Sequence, residues 1–364
     1  MAPDFEERIQ ETGKWLYQLI EGESPTLFQK QYWIGKVLDW CMRDDAFRVQ
    51  MFRFIDVFPY LTKPESIARH LQEYFGRPEL KIPAALQWGI KLGSSTSFTS
   101  KIVAKSFTDN ITSMAGQFIL GSSPEEALPA LERLRAVGVG FTADLLGEAV
   151  VSEQEAEDYF RRYLELFEVL HEAQHRWPVL GESPTELDWG YAPKVNVSIK
   201  ASAMYSQMKA CAFDHSVAMA QERLRPLFRK AIATGAFVNL DMEHHGLKNL
   251  TLALYRSLMD EPEFHEYPHT GIALQCYRRD SEADLKELIR WARHHKTPFT
   301  IRLVKGAYWD SEVIWARQNN WPIPVFTIST RLMRTLKNWL ALFCKTMNTP
   351  GWRVVRIIFG RSPT

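Results

Sequence analysis

Cysteine is scarce and scattered. The chain holds four in 364 residues, Cys41, Cys211, Cys276 and Cys344, with no C-x-x-C pair and no framework spacing. That excludes a disulfide scaffold and is the usage expected in a reducing compartment, so the cytoplasm is the expected location. Long apolar runs are missing as well: nowhere do ~18 consecutive apolar residues occur, the length a membrane-spanning helix requires. The amino terminus, MAPDFEERIQ, is acidic and polar where an export signal needs a basic and then an apolar stretch. Net charge is also lacking, since 44 Lys plus Arg face 43 Asp plus Glu. A chain so balanced has no bulk field for gripping a phosphate backbone, and no nucleic-acid partner is expected through this segment. What is present is a globular composition, 46% hydrophobic and 12% aromatic, with 19 Gly and 19 Pro dispersed along the chain. The length accommodates one large domain or two smaller ones around a sizeable core.

The first hundred or so residues carry helical periodicity, as in Trp15, Leu16, Leu19 and Ile20, and again in Ile67, Leu71 and Phe75. A further helix starts at Ser123, an N-cap followed by Pro124 and by Glu126 three residues on. From about residue 139 the rhythm changes to short β-branched runs separated by amphipathic stretches, the mark of βαβ units. The expected strands are 139–146, 194–200, 237–243, 270–277 and 298–306. The first is followed by a helix opening on the capping box Ser152 and Glu155, and further helices are expected over 213–233, 247–259, 280–295 and 309–319.

Such alternation fits a doubly wound sheet or a (β/α)8 barrel. No glycine-rich phosphate turn follows the first strand, which removes the main support for a dinucleotide fold. The strands instead share polar groups at their carboxyl ends: Asp144 and Glu148, Lys200, Asp241 and Glu243, Gln275, Arg302 and Lys305. In a barrel these ends converge on the face where catalytic residues sit. A solubilising flank explains any single one of these charges, but not the same arrangement on five strands.

Two motifs carry chemistry. HEAQH, residues 171–175, matches the zincin pattern of two histidines one helical turn apart with a glutamate base, although no third ligand or extended consensus follows in RWPVLGESP. It leaves a zinc metallopeptidase as an alternative, with no metal site in the preferred reading. The adjacent pairs His244–His245 and His294–His295 point to different sides of an element and read as surface or core histidines. RLVKGAYWDSE, Arg302 to Glu312, runs from a strand end through a glycine into a helix. A guanidinium, an ammonium, exposed amides around Gly306 and the flat faces of Tyr308 and Trp309 suit an electron-rich heterocycle or a phosphate.

Taken together, RLVKGAYWDSE, WPIPVFT (321–327), VSIKASA (197–203), LDME (240–243) and FTADLLGEA (141–149) resemble the proline dehydrogenase domain of bifunctional proline-utilisation flavoenzymes. The stretch WCMRDDAFRVQMFRFIDVFP (40–59) is similar to their helical arm. The resemblance runs in order through nearly everything up to Thr327. It implies an α/β fold, an incomplete (β/α)8 TIM-type barrel of about five strand–helix units, preceded by an all-helical N-terminal arm. The divisions are 1–115, arm and linker; 116–327, partial barrel; and 328–364, tail.

The resemblance further implies FAD held noncovalently at the carboxyl face and oxidation of L-proline to Δ1-pyrroline-5-carboxylate, with electrons passed to a membrane quinone through a peripheral contact at the inner face of the membrane. By position, Arg302 and Gln275 meet the flavin edge, and Val304, Lys305, Gly306, Ala307 and Trp309 line the cofactor. Lys200 meets the proline carboxylate, Tyr308 packs near flavin and proline, Asp241 belongs to the polar network of the pocket, and Asp144 with Glu148 stand at its mouth. The family also clamps the carboxylate with an adjacent arginine pair on its last barrel helix. Arg161–Arg162 and Arg278–Arg279 lie on other elements and do not substitute for it.

The basic tail STRLMRTLKNWLALFCKTMNTPGWRVVRIIFGRSPT fits no βα unit. Read one base earlier, codon degeneracy permits two family-like strings within 328–341 and 348–364, the second containing Gly-Ser-His-Asn. The expectation is a single-base deletion near codon 328, in the gene or the sequencing read, that leaves 328–364 out of frame. On that reading the chain as written aggregates or folds loosely, binds FAD poorly and shows no proline-dependent dye reduction, and a noncatalytic binding remnant stays open as a third reading.

Overall fold

The computed structural model describes residues 3–20, 44–77, 119–147, 150–180, 193–296 and 299–327, with a few single positions between 80 and 109. Glu148 and the whole tail 328–364 lie outside the described residues, and so does the expectation of a shifted frame. The chain divides into two compact units, Met1–Ile119 and Leu120–Thr364.

In the first unit, α1 (Pro3–Ile20), α2 (Asp45–Val57) and α3 (Pro64–Phe75) confirm the helical reading. Asp44 caps α2 by accepting from the Phe47 amide at 3.0 Å, and Pro64 opens α3 at a position where no intrahelical donor is needed. A small aromatic core joins α2 to α3: Phe47, Phe54, Ile67, Leu71 and Phe75 are buried, and the Phe54 and Phe75 rings meet edge to face at 5.5 Å. The apolar stripe of α1 behaves differently. Trp15, Leu16 and Leu19 remain more than half exposed, so periodicity there predicted the helix but not burial.

The second unit begins with α4 (Pro124–Ala136), whose Ser123 cap accepts from the Glu126 amide as the sequence predicts. The alternating region then follows: β1 (Ala143–Asp144), α5 (Glu153–Gln174), β2 (Asn196–Ile199), α6 (Phe213–Thr234), β3 (Phe237–Leu240), α7 (Lys248–Met259), β4 (Thr270–Gln275), α8 (Ser281–His295), β5 (Thr300–Val304) and α9 (Trp309–Gln318). All four pairings are parallel, and the strands lie in the order β1-β2-β3-β4-β5. That order decides between the two architectures open to the sequence. A doubly wound sheet reverses direction at a switch point, whereas a barrel winds continuously, each strand beside its predecessor. The described sheet is five successive units of TIM-type barrel.

Every residue of β3 and β4 is buried, as expected of parallel strands covered by helices. Val197, Ile199, Val238, Leu240, Ile301 and Leu303 belong to one core with Leu166, Phe167 and Leu170 of α5 and Leu224, Leu227 and Phe228 of α6. Strand β1 is the main departure: eight residues were expected and two pair. The stretch before it is bent at Gly138 (φ +80°), and Phe141 stacks edge-on against Trp177 at 5.3 Å instead of extending the ladder.

Leu170 is fully buried on α5, while Ile314 on α9 is 51% exposed. Leu170→Ala is expected to lower stability by about 2–5 kcal/mol through lost burial and a residual cavity, and Ile314→Ala by less than about 0.5 kcal/mol. Paired denaturant titrations check the contrast. Equal midpoints for the two variants would contradict this core.

Candidate active site

The barrel register sorts the strand residues into two sets. Ser198, Asn239 and Arg302 alternate with the core residues named above, so their side chains occupy the opposite face from the helices. Ser198 pairs in register with Asn239 and with Asp144. One step toward the carboxyl ends, Lys200, Asp241 and Arg302 come together.

Asp241 stands at the centre. Its Oδ1 accepts from Ser198 Oγ at 3.0 Å, from Asn239 Nδ2 at 2.9 Å and from the Arg302 guanidinium. Its Oδ2 lies 4.0 Å from Lys200 Nζ, and that ammonium donates to Asp144 Oδ2 at 2.6 Å. Four strands are thereby joined by alternating charge, Asp144, Lys200, Asp241 and Arg302, on side chains of which only the one at Asp144 is as much as 32% exposed. Two acids and two bases leave the group formally neutral. Burial pulls the Arg302 proton affinity below its usual range, against the opposing pull of Asp144.

A second cluster holds the backbone beyond these groups. Glu243, buried, accepts from the Ser202 amide at 3.0 Å and from the Ser202 hydroxyl. It thus grips the short helical turn that begins directly after Lys200. Gln275 Nε2 donates to the carbonyls of Met242 and Glu243, at 2.7 and 3.1 Å. Gln275 Oε1 is buried and has no hydrogen-bond partner among the described residues, and the same holds for Arg302 Nε. The two atoms lie on adjacent strands near the carboxyl ends, and each could pair with a polar ligand that reached it.

Beyond β5 the chain turns sharply. Gly306 takes φ +125°, which side-chain-bearing residues avoid, and Lys305, Ala307 and Trp309 stand exposed around it. Tyr308 precedes α9 and its carbonyl receives the Glu312 amide at 2.9 Å. Trp309 Nε1 donates to the Phe326 carbonyl at 2.9 Å.

Of the residues singled out in the sequence, Lys200, Asp241, Arg302 and Asp144 are thus in one bonded network. Gln275 faces the backbone of the same loops, and Val304, Lys305, Gly306, Ala307, Tyr308 and Trp309 form the turn after β5. Ser198, Asn239 and Ser202 were missed. For Ser198 and Asn239 a signal was available: a Ser or Asn two residues before a charged strand end shares the face of that charge, whereas Ser202, in the turn after Lys200, carried none.

The HEAQH histidines do not form a centre. His171 Nδ1 is 3.2 Å from the Thr234 carbonyl and 2.8 Å from Gln174 Nε2, and no group of three His, Cys, Asp or Glu suited to a metal occurs among the described residues. The other histidine pairs are structural: His245 bonds the buried Arg278, and His295 Nδ1 is 3.0 Å from Asp260. Arg278 pairs with Asp280 at 3.0 Å and Arg161 with Glu157 on its own helix.

A parallel barrel carrying a charged network and orphaned polar atoms at the carboxyl ends of its strands has the architecture of a TIM-type enzyme. The sequence profile of the proline dehydrogenase family matches residues 127–348, and the chain belongs to that family. The profile of the proline utilization A N-terminal domain matches residues 6–118. The Bifunctional protein PutA of Klebsiella aerogenes is 28% identical over 77% of this chain, and the Proline dehydrogenase of Deinococcus radiodurans 29% identical over 55%. Of those two relatives the chain spans 22% and 55% respectively. The crystal structure of proline utilization A from Bdellovibrio bacteriovorus, inactivated by N-propargylglycine, superposes with a TM-score of 0.82 at 37% identity, over 98% of this chain and 34% of that one.

Asp241→Asn removes the anion that balances two buried cations. Stability is expected to fall toward the lower end of about 3–5 kcal/mol, and Asp241→Asn combined with Arg302→Met to recover more than half of the loss by removing a stranded charge. Denaturant midpoints of the two variants decide it. A double variant less stable than Asp241→Asn would contradict the pairing.

Proposed function

We propose that this chain carries the site of an FAD-dependent L-proline dehydrogenase, converting L-proline to Δ1-pyrroline-5-carboxylate. The observation that carries the reading is the placement of Gln275 Oε1 and Arg302 Nε, two buried polar atoms without partners, beside the left-handed turn at Gly306. They fit the heteroatom edge of an isoalloxazine, and the turn at Gly306 leads from the strand end into the residues that would line the cofactor. Gln275, Arg302, Val304, Lys305, Gly306, Ala307 and Trp309 would hold FAD. Bound there, FAD supplies the acceptor for the hydride that leaves the ring carbon next to the proline nitrogen. No cysteine or histidine stands in this turn, so attachment is noncovalent.

Lys200 binds the proline carboxylate by turning part of its charge from Asp144. Asp241 lies between Lys200 and Arg302 and offsets their charge, and Tyr308 covers the ring. Because the network is already neutral, a second cation is required to hold the carboxylate fully, which is the part played in the family by its arginine pair. A membrane quinone is the proposed final electron acceptor, supported by the family likeness. No helix among the described residues is long and apolar enough to cross a membrane.

The test is FAD binding, read as quenching of flavin fluorescence, together with proline-dependent dye reduction. It uses the 364-residue chain and a chain with the reading frame after codon 328 restored. Absence of proline-dependent reduction in both would overturn the function. In whichever chain is active, Lys200→Ala is expected to weaken proline binding by roughly 1.5–3 kcal/mol, the worth of a charge-assisted hydrogen bond, with flavin content unchanged. Undiminished proline affinity would remove Lys200 from the substrate site.

A further inference from the structure

We propose that Tyr277, a residue with no assigned part in the site, positions the cofactor-facing turn 305–309 by filling the space beneath Gly306. The proposal deepens the flavin reading and rests on it. Tyr277 lies two residues past the end of β4 and is 2% exposed. Its amide donates to the Lys305 carbonyl at 3.1 Å, and its own carbonyl receives the Phe326 amide at 2.7 Å, so its backbone is fixed on both sides. A Cβ built on Gly306 would lie 1.5 Å from Tyr277 Cε1 and 1.6 Å from Cδ1. The ring therefore occupies the volume that any other residue at 306 would claim, and it holds the turn at φ +125° from below. The Tyr277 hydroxyl is buried with no hydrogen-bond partner among the described residues, and burial raises its proton affinity above the ordinary phenol range. The aromatic body, packed under Gly306, is therefore the part that the geometry uses.

Three variants of the full chain separate this role from general stability. Tyr277→Phe keeps the ring, Tyr277→Leu removes it, and Phe299→Leu trims a core ring that touches Tyr255 and Trp291 away from the turn. Two readouts are taken: amide hydrogen exchange of residues 305–309 without flavin, and FAD affinity from fluorescence quenching. The expected result for Tyr277→Leu is at least tenfold faster exchange across the turn and at least tenfold weaker FAD binding. Tyr277→Phe should stay within about twofold of the parent on both, and Phe299→Leu should lower the melting temperature without moving either.

Parent-like exchange in Tyr277→Leu would overturn the proposal, as would a Tyr277→Phe variant as impaired as Tyr277→Leu, or equal effects from Phe299→Leu. Failure of both the parent and the frame-restored chain to quench FAD fluorescence counts against the proposed cofactor alone, because the exchange measurement decides the role of Tyr277 without it.

Discussion

The carboxylate of Asp241 is the constraint on which the carboxyl face of this barrel depends. It lies just past β3, the middle strand of the described five, and binds groups from β2, β3 and β5 at once. Lys200 and Arg302 are both largely buried, and without an anion between them their like charges would repel across a medium that screens poorly. With Asp241 in place the two cations stand on either side of it, each held in a fixed direction. Asp144 completes the neutralisation at the more exposed edge. Neutral hydrogen bonds from Ser198 and Asn239 saturate Asp241 Oδ1, so the position of the carboxylate is set by the sheet itself.

A parallel sheet wound in sequence order is what makes such a network available. Polar residues stand at or just past the strand ends, and the register sets Lys200, Asp241 and Arg302 at one level, with Asp144 two residues below it and Gln275 two residues above. The helices cover the other face with an apolar core in which Ile199, Leu240 and Leu303 are essentially inaccessible to water. Rigidity below and polarity above belong to the same alternation, since successive side chains on a strand must point in opposite directions. The ties between the loops extend this order past the strands: Glu243 grips the turn after Lys200, and Gln275 holds the loop after β3.

The distribution of histidine shows how pattern and chemistry diverge. His171 and His175 have the spacing of a zinc helix and their rings lie 5.3 Å apart, yet His171 is engaged with the end of α6 through Thr234. A pair of ligands on one helix makes a metal site only when a third group converges from elsewhere, and convergence is a property of the fold. Arg278 and Arg279 are a second instance: adjacent in sequence like a clamp, they are occupied by Asp280 and by the Val325 carbonyl.

What the sequence determined by itself was local. Ser123 and Ser152 as caps, the five strand–helix alternations and the glycine after Lys305 could each be read from a few residues, because capping, periodicity and left-handed turns are decided within one or two turns of chain. The charges at the strand ends were legible too, as a list without connections. The tertiary structure alone decided that the sheet winds without reversal, that Asp241 binds Arg302 sixty-one residues away, that Ser198 and Asn239 belong to the same network, and that the Tyr277 ring lies under Gly306. Each of these depends on strand register and on which neighbour a strand chooses. Those choices are made by the packing of the whole core, which no short window of sequence contains.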